Sequence, residues 1–198
     1  MLAKGAKVNL LDPIGAGLSL VCTYYFTSAK RVAWILGMCA IILNSILYWQ
    51  KGIYGSVILE SIYFLSMVYG WYQWSNHNNK SSLSIRYLNL KQVAYLVILA
   101  CVGILLLGKG LTLTDSTIPY WDACTTILSL IAQGLLCLKY IHCWILWFVV
   151  DALMASLQLY KGIPFHSAIH WSYLILAVMG YVKWRKIYQM ERQIAFAS

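Results

Sequence analysis

Apolar residues run along the chain in seven blocks, each closed by a short polar or turn-forming break. The blocks cover residues 13–29, 31–49, 53–74, 91–109, 121–139, 142–160 and 165–185. Roughly 17–22 helical residues cross the hydrocarbon layer of a bilayer, so each block predicts one transmembrane helix. The breaks carry turn chemistry, as at Lys30-Arg31, Lys51-Gly52 and Lys161-Gly162-Ile163-Pro164. One longer polar stretch, Ser75 to Arg86, reads as a linker too short to be a domain. Lys4 and Lys7 ahead of an apolar run resemble a signal peptide, but Asp12-Pro13 interrupts that pattern.

The chain also resembles itself. Shifted by 110 positions, residues 12–74 overlay 122–184 without a gap. Asp12 meets Asp122, Leu18-Ser19-Leu20 meets Leu128-Ser129-Leu130, and Trp34-Ile35-Leu36 meets Trp144-Ile145-Leu146. Lys51-Gly52-Ile53 then meets Lys161-Gly162-Ile163, Tyr63 meets Tyr173, Gly70 meets Gly180 and Trp74 meets Trp184. About a quarter of the 63 positions match, and shared apolar composition does not align the Lys-Gly-Ile turn or both aspartates. Each repeat holds three helices, an odd number, so the block 91–109 between them restores the direction of the second. The expected fold is an all-α membrane protein of seven transmembrane helices in a 3+1+3 arrangement of parallel repeats. Residues 1–185 form a single membrane domain, with repeat one at 12–74, a linker helix at 91–109, repeat two at 122–184 and a cytoplasmic tail at 186–198. Parallel repeats of this kind mark one class of secondary transporter, with substrate held at the repeat interface near the midplane.

Composition agrees: 61% of the 198 residues are hydrophobic, only 11% are charged, and there are nine tryptophans. That excludes a soluble globular enzyme, a disordered tail and a coiled coil. The net charge of +9 does not indicate nucleic acid, because the 15 Lys and Arg residues lie at block ends rather than in a basic run interleaved with aromatics. Their sidedness gives an orientation. The side of the N-terminus holds Lys4, Lys7, Lys51, Lys109 and Lys161, while the other ten fall opposite, which places the N-terminus outside and the C-terminus inside. The six cysteines form no CxxC pair and read as buried, reduced thiols.

Of six acidic residues, Asp12, Asp115 and Asp122 fall outside a span or in its first turn, where a carboxylate can cap a helix, and Glu191 lies in the tail. Glu60 and Asp151 remain inside spans. A charge at the bilayer centre costs about 2.5–3.5 kcal/mol, so each is a functional candidate; the bland alternative is an interhelical hydrogen bond. At helical spacing, Glu60, Tyr63, Met67, Trp71 and Trp74 share one face of the third span. Trp144, Trp147, Asp151, Met154 and Gln158 share a stripe on the sixth. Aromatic planes beside a carboxylate suit a flat cation, each ring contributing roughly 0.5–2 kcal/mol. An interfacial aromatic belt explains Trp71, Trp74, Trp144 and Trp184 equally simply. Gln133, Asn44 and His170 are further polar groups at depth, and His170 is the repeat counterpart of Glu60. His166 and His170 have no second histidine pair to complete a metal or haem site, and no retinal-type lysine sits deep in the last span, so neither metal nor cofactor is expected. The chain shows no GxSG or HExxH motif, so an enzyme is not expected either.

The strings YGWYQW (69–74), WDACTTILSLIAQ (121–133), WILWFVVD (144–151), YKGI (160–163) and GYVKWRK (180–186) resemble the Pnu family of bacterial vitamin transporters, in its nicotinamide riboside branch. The resemblance covers nearly the whole chain apart from the termini and the 75–90 loop. It implies a fold like the SWEET sugar transporters with full-length repeats, in a bacterial inner membrane. It further implies facilitated diffusion of an unphosphorylated small cationic vitamin, trapped by a separate cytoplasmic kinase for NAD synthesis. The third-span pair of the family carries over to Trp71 and Trp74, the sixth-span pair to Trp144 and Trp147, and the fifth-span glutamine to Gln133. Two positions depart: the third-span glutamine is Glu60, and the asparagine before the sixth-span tryptophan is Cys143. Cysteine lacks an amide's paired donor and acceptor. Glutamate accepts from an amino group and neutralises a cation, which fits thiamine as the alternative substrate. The expected site is Glu60, Tyr63, Trp71, Trp74, Gln133, Cys143, Trp144, Trp147, Asp151 and His170, with the lipid bilayer as partner, no nucleic acid, and homo-oligomerisation left open.

Overall fold

The protein is described here as a computed structural model covering residues 11–50, 52, 54–75, 84–114, 117–160 and 164–197. Its helices are α1 (Leu11–Thr27), α2 (Val32–Gln50), α3 (Tyr54–Ser75), α4 (Leu90–Leu111), α5 (Pro119–Cys137), α6 (Cys143–Tyr160) and α7 (Pro164–Ala197). Three of them, α2, α4 and α6, are long and apolar enough to cross a membrane by length and composition.

Local chemistry sets the boundaries. Asn89 and Gln92 form a reciprocal capping box that starts α4. Pro119 opens α5, where its missing N–H costs nothing. Asp122 lies in the first turn of that helix, whose N-cap is Ile118, where its charge meets the positive end of the helix dipole. Asp115, Lys51, the 161–163 turn and most of the 75–86 linker lie outside the described residues. α1 and α5 stop in the same way. Ala29 and Lys139 adopt left-handed backbone, with φ of 51° and 55°. Lys30 N–H reaches Tyr25 O and Ala29 N–H reaches Phe26 O, as Tyr140 N–H reaches Leu135 O and Lys139 N–H reaches Leu136 O. Both turns are Schellman closures that satisfy the last carbonyls of a helix.

The predicted last span ends at 185, but α7 continues to Ala197. Residues 186–197 hold no glycine or proline, and their helix is anchored on the segment before α4: Tyr188 packs on Tyr87 at 4.8 Å, and Ile85 N–H donates to Glu191 Oε2 at 3.3 Å. The segment is held from the other side by α5–α6, since Arg86 N–H donates to Lys139 O and Ile141 N–H to Arg86 O, both at 3.0 Å.

Six helices close a ring in the order α1, α2, α3, α5, α6, α7 and back to α1, while α4 packs on α5 alone among the described residues. The two junctions that join the early and late triplets are α3 with α5 and α1 with α7. One end of the ring is sealed by aromatic packing. Trp34 and Trp74 meet at 5.2 Å and 86°, Trp74 and Trp184 at 6.0 Å and 51°, and Trp184 and Trp144 at 5.6 Å and 88°. All four are buried. Trp74 Nε1–H donates to Cys137 O and Trp184 Nε1–H to Phe26 O, each at 3.0 Å, so each ring of the central pair is tied to the end of the first helix in the other triplet. The outer rings fit only because a neighbour is glycine: a Cβ on Gly70 would overlap Trp34, and one on Gly180 would overlap Trp144.

Gly180→Ala is expected to destabilise the protein by about 1–3 kcal/mol through overpacking. A thermal melt in detergent reads this as a lowered midpoint. Gly110→Ala, where a Cβ meets open space, should leave the midpoint unchanged or slightly raised.

Candidate functional site

Beside the tryptophan seal, the ring encloses a cavity of about 410 Å³ lined by α1, α2, α3, α5, α6 and α7. That volume falls within the roughly 300–1,000 Å³ typical of small-molecule sites. Of the residues expected from the sequence, Glu60, Tyr63, Gln133, Trp144, Trp147, Asp151 and His170 all reach its wall.

Three do not. Trp71 is 43% exposed on the outside of the ring. The inward stripe of α3 runs through Tyr63, Met67, Gly70 and Trp74, and at about 100° per residue Trp71 falls on its edge. Trp74 is inward but belongs to the seal, where its ring is covered by Phe26, Trp34 and Trp184. Cys143 is fully buried in the same cluster. As the first residue of α6 it lies one turn below the cavity-facing Trp147. Gln158, the far end of the expected α6 stripe, also lies off the wall.

The polar wall is organised as pairs. Tyr63 Oη and Ser129 Oγ are 2.6 Å apart across the α3–α5 junction. Tyr173 and Ser19 face the cavity on either side of the α1–α7 junction. They are the repeat counterparts of Tyr63 and Ser129, each 110 positions away. Gln133 Nε2–H donates to Ser66 Oγ at 3.0 Å, which fixes the amide against α3.

The ionisable groups break the match. Glu60 stands near the neutral amide of Asn44 on α2, both on the cavity wall. At the corresponding place in the other triplet stands His170, whose Nδ1 lies 2.8 Å from Asp151 Oδ1. Asn44 is set by close approach, since a Cβ on Gly15 would overlap its Oδ1. Among the described residues the cavity wall holds two carboxyl groups and one imidazole, and neither lysine nor arginine. The Trp144 indole N–H is buried without a protein partner. The arrangement offers an aromatic surface and two carboxyl groups, one of them paired with His170. Among the described residues no group of three His, Cys, Asp or Glu is placed to hold a metal; the side chain of His166 lies outside them.

Sequence reasoning passed over Ser19, Ser129 and Tyr173, although the 110-residue shift aligned Ser19 with Ser129 and Tyr63 with Tyr173. It noted Asn44 as polar at depth without placing it in the site; nothing in the sequence pairs it with Glu60.

Comparison with known proteins points one way. A family model described as nicotinamide mononucleotide transporter matches residues 9–186. The nicotinamide riboside transporter PnuC of Escherichia coli K12 is 24% identical, over 90% of this chain and 84% of its own. That of Haemophilus influenzae is 27% identical, over 86% and 68%. Neisseria mucosa PnuC is 23% identical, over 89% and 72%. A crystal structure of the vitamin B3 transporter PnuC superposes with a TM-score of 0.76 at 23% identity, covering 92% of this chain and 83% of that one, so the fold is shared.

His170→Ala removes the partner of a buried carboxylate. The expected cost is about 1–3 kcal/mol, the penalty for leaving such a group unsatisfied. A lowered thermal midpoint checks it, and Asp151→Asn in the same background should recover part of the loss.

Proposed function

The chain belongs to the nicotinamide mononucleotide transporter family, and from that premise we propose that it carries nicotinamide riboside across the membrane by facilitated diffusion. It is a membrane transporter, not an enzyme. The observation that carries the substrate reading is the charge of the cavity wall. Two carboxyl groups and, among the described residues, no lysine or arginine suit a cationic nucleoside, whereas a mononucleotide would bring a phosphate that no described basic side chain meets. Trp147, with Trp144 at the seal end of the wall, supplies aromatic surface for the pyridinium ring. A separate cytoplasmic kinase then traps the nucleoside for NAD synthesis.

The carrier is read as a single domain over 1–185 with seven spans, parallel repeats at 12–74 and 122–184, and a linker helix at 91–109, as in a full-length SWEET-like fold. What supports the duplication is the set of features repeated at 110-residue spacing: the Schellman turns at Ala29 and Lys139, the Trp–Gly pairs, and the tyrosine and serine positions on the cavity wall. Its place is the bacterial cytoplasmic membrane, N-terminus outside and C-terminus inside, with α7 extending into the cytoplasm. One triplet rocks against the other about the tryptophan seal. Homo-oligomerisation is compatible with this reading and is not required by it.

Thiamine is the second reading, favoured by Glu60 on the cavity wall. Its carboxyl group accepts from an aminopyrimidine, while the thiazolium stacks on tryptophan.

Titrating the purified protein with nicotinamide riboside should quench tryptophan fluorescence, and Trp147→Phe should remove much of the response. Trp71→Phe should lower the starting signal without changing the midpoint. Quenching by thiamine alone moves the assignment to the second reading; no response to either overturns both.

A further inference from the structure

The two triplets place different ionisable groups at one corresponding position, and only one of them has an ionic partner. His170 lies 2.8 Å from Asp151, so a protonated imidazole and a carboxylate there compensate each other. Glu60 faces the same cavity, where the neutral amide of Asn44 is its polar neighbour on α2. The other titratable groups facing the cavity are Tyr63 on its own helix, Cys22 on α1, Asp151 on α6, and His170 and Tyr173 on α7. The helices packed on α3 contribute Asn44 and Met67's neighbours from α2, and hydroxyls and Gln133 from α5, all neutral. None of these supplies a positive charge to Glu60.

We propose that Glu60 is a proton–cation exchange site: it holds a proton when the carrier is empty and gives it up to a cationic ligand. An uncompensated carboxylate in a low-dielectric cavity is costly, and it is relieved either by a proton or by an opposite charge close by. The empty cavity offers only the proton. A bound pyridinium or thiazolium offers the charge, so the proton leaves to water as the ligand enters. Charge balances at each step: the wall gains one negative charge as the ligand brings one positive. Glu60 thereby determines specificity, selecting a cationic ring over its uncharged isostere. This deepens the nicotinamide riboside reading and rests on it.

The test is calorimetric titration of the full-length protein in buffers of different ionisation enthalpy, from about pH 6 to about pH 8. Three probes are compared: nicotinamide riboside, its uncharged reduced form, and thiamine. For the cations, binding is expected to release a proton, with affinity falling up to about tenfold per pH unit on the acid side. The reduced form should bind with no proton release and no pH dependence. Glu60→Gln should weaken the cations at least tenfold, abolish proton release and leave the reduced form untouched. Asp151→Asn separates the two carboxylates, because release should persist in it. Cation binding that is pH-independent and releases no proton overturns the exchange while leaving the transport reading intact. Release that survives Glu60→Gln overturns the assignment to this residue. Failure of both cations to bind at any pH overturns the transport reading and the exchange with it.

Discussion

The packing of four indoles across the ring is the contact on which the rest depends. Trp74 and Trp184 are the only pair in it that joins the two triplets directly, and each sends its N–H to a carbonyl at the end of the opposite triplet's first helix. Rings bury large apolar areas and prefer edge-to-face approach, so the 86° and 88° crossings hold geometry as well as area. The glycines at 70 and 180 let the outer rings in. With one end of the ring tied this way, the middle is kept open between two triplets whose other junctions, among the described residues, are α3–α5 and α1–α7. The first of these is stitched by the Tyr63–Ser129 hydroxyl pair. A hydroxyl pair can be exchanged for a ligand's hydroxyls at little cost, which an interdigitated apolar contact cannot.

The fold was legible because its physics is one-dimensional. A helix in hydrocarbon must satisfy its own backbone, so the length of an apolar block translates directly into an element, and six of the seven helices end within a few residues of their blocks. The exception, α7, runs past the end of its apolar block, where Tyr188 and Glu191 hold it to the 84–89 segment. The site was legible in part. Glu60, Asp151 and His170 announce themselves by their cost in a bilayer. The tryptophans do not, because the same residue serves equally as cavity wall, seal or interface. Trp147 lines the cavity, Trp74 plugs its end and Trp71 faces outward, and only the rotation of α3 and α6 in the ring decides between these roles. Cys143 shows the same limit: one turn of helix separates a wall position from a buried one.

Charge and shape agree on the kind of ligand. On the proposed reading, a wall with carboxyl groups on two helices and, among the described residues, no lysine or arginine suits a flat cation better than a phosphate. Matched helices give the cavity its symmetry, and the unmatched pair Glu60 and His170 gives it direction. The first is a carboxyl group with no ionic partner on the described wall, while the second pairs with Asp151.

Transport itself is the most direct check. Proteoliposomes loaded with unlabelled nicotinamide riboside and diluted into a trace of the labelled compound should show transient counterflow accumulation, followed by decay to equal concentrations on both sides. That is the behaviour of a carrier whose site alternates between the two sides. Labelled ligand that binds but never appears in the lumen, under the same conditions and with the protein demonstrably folded, contradicts the account.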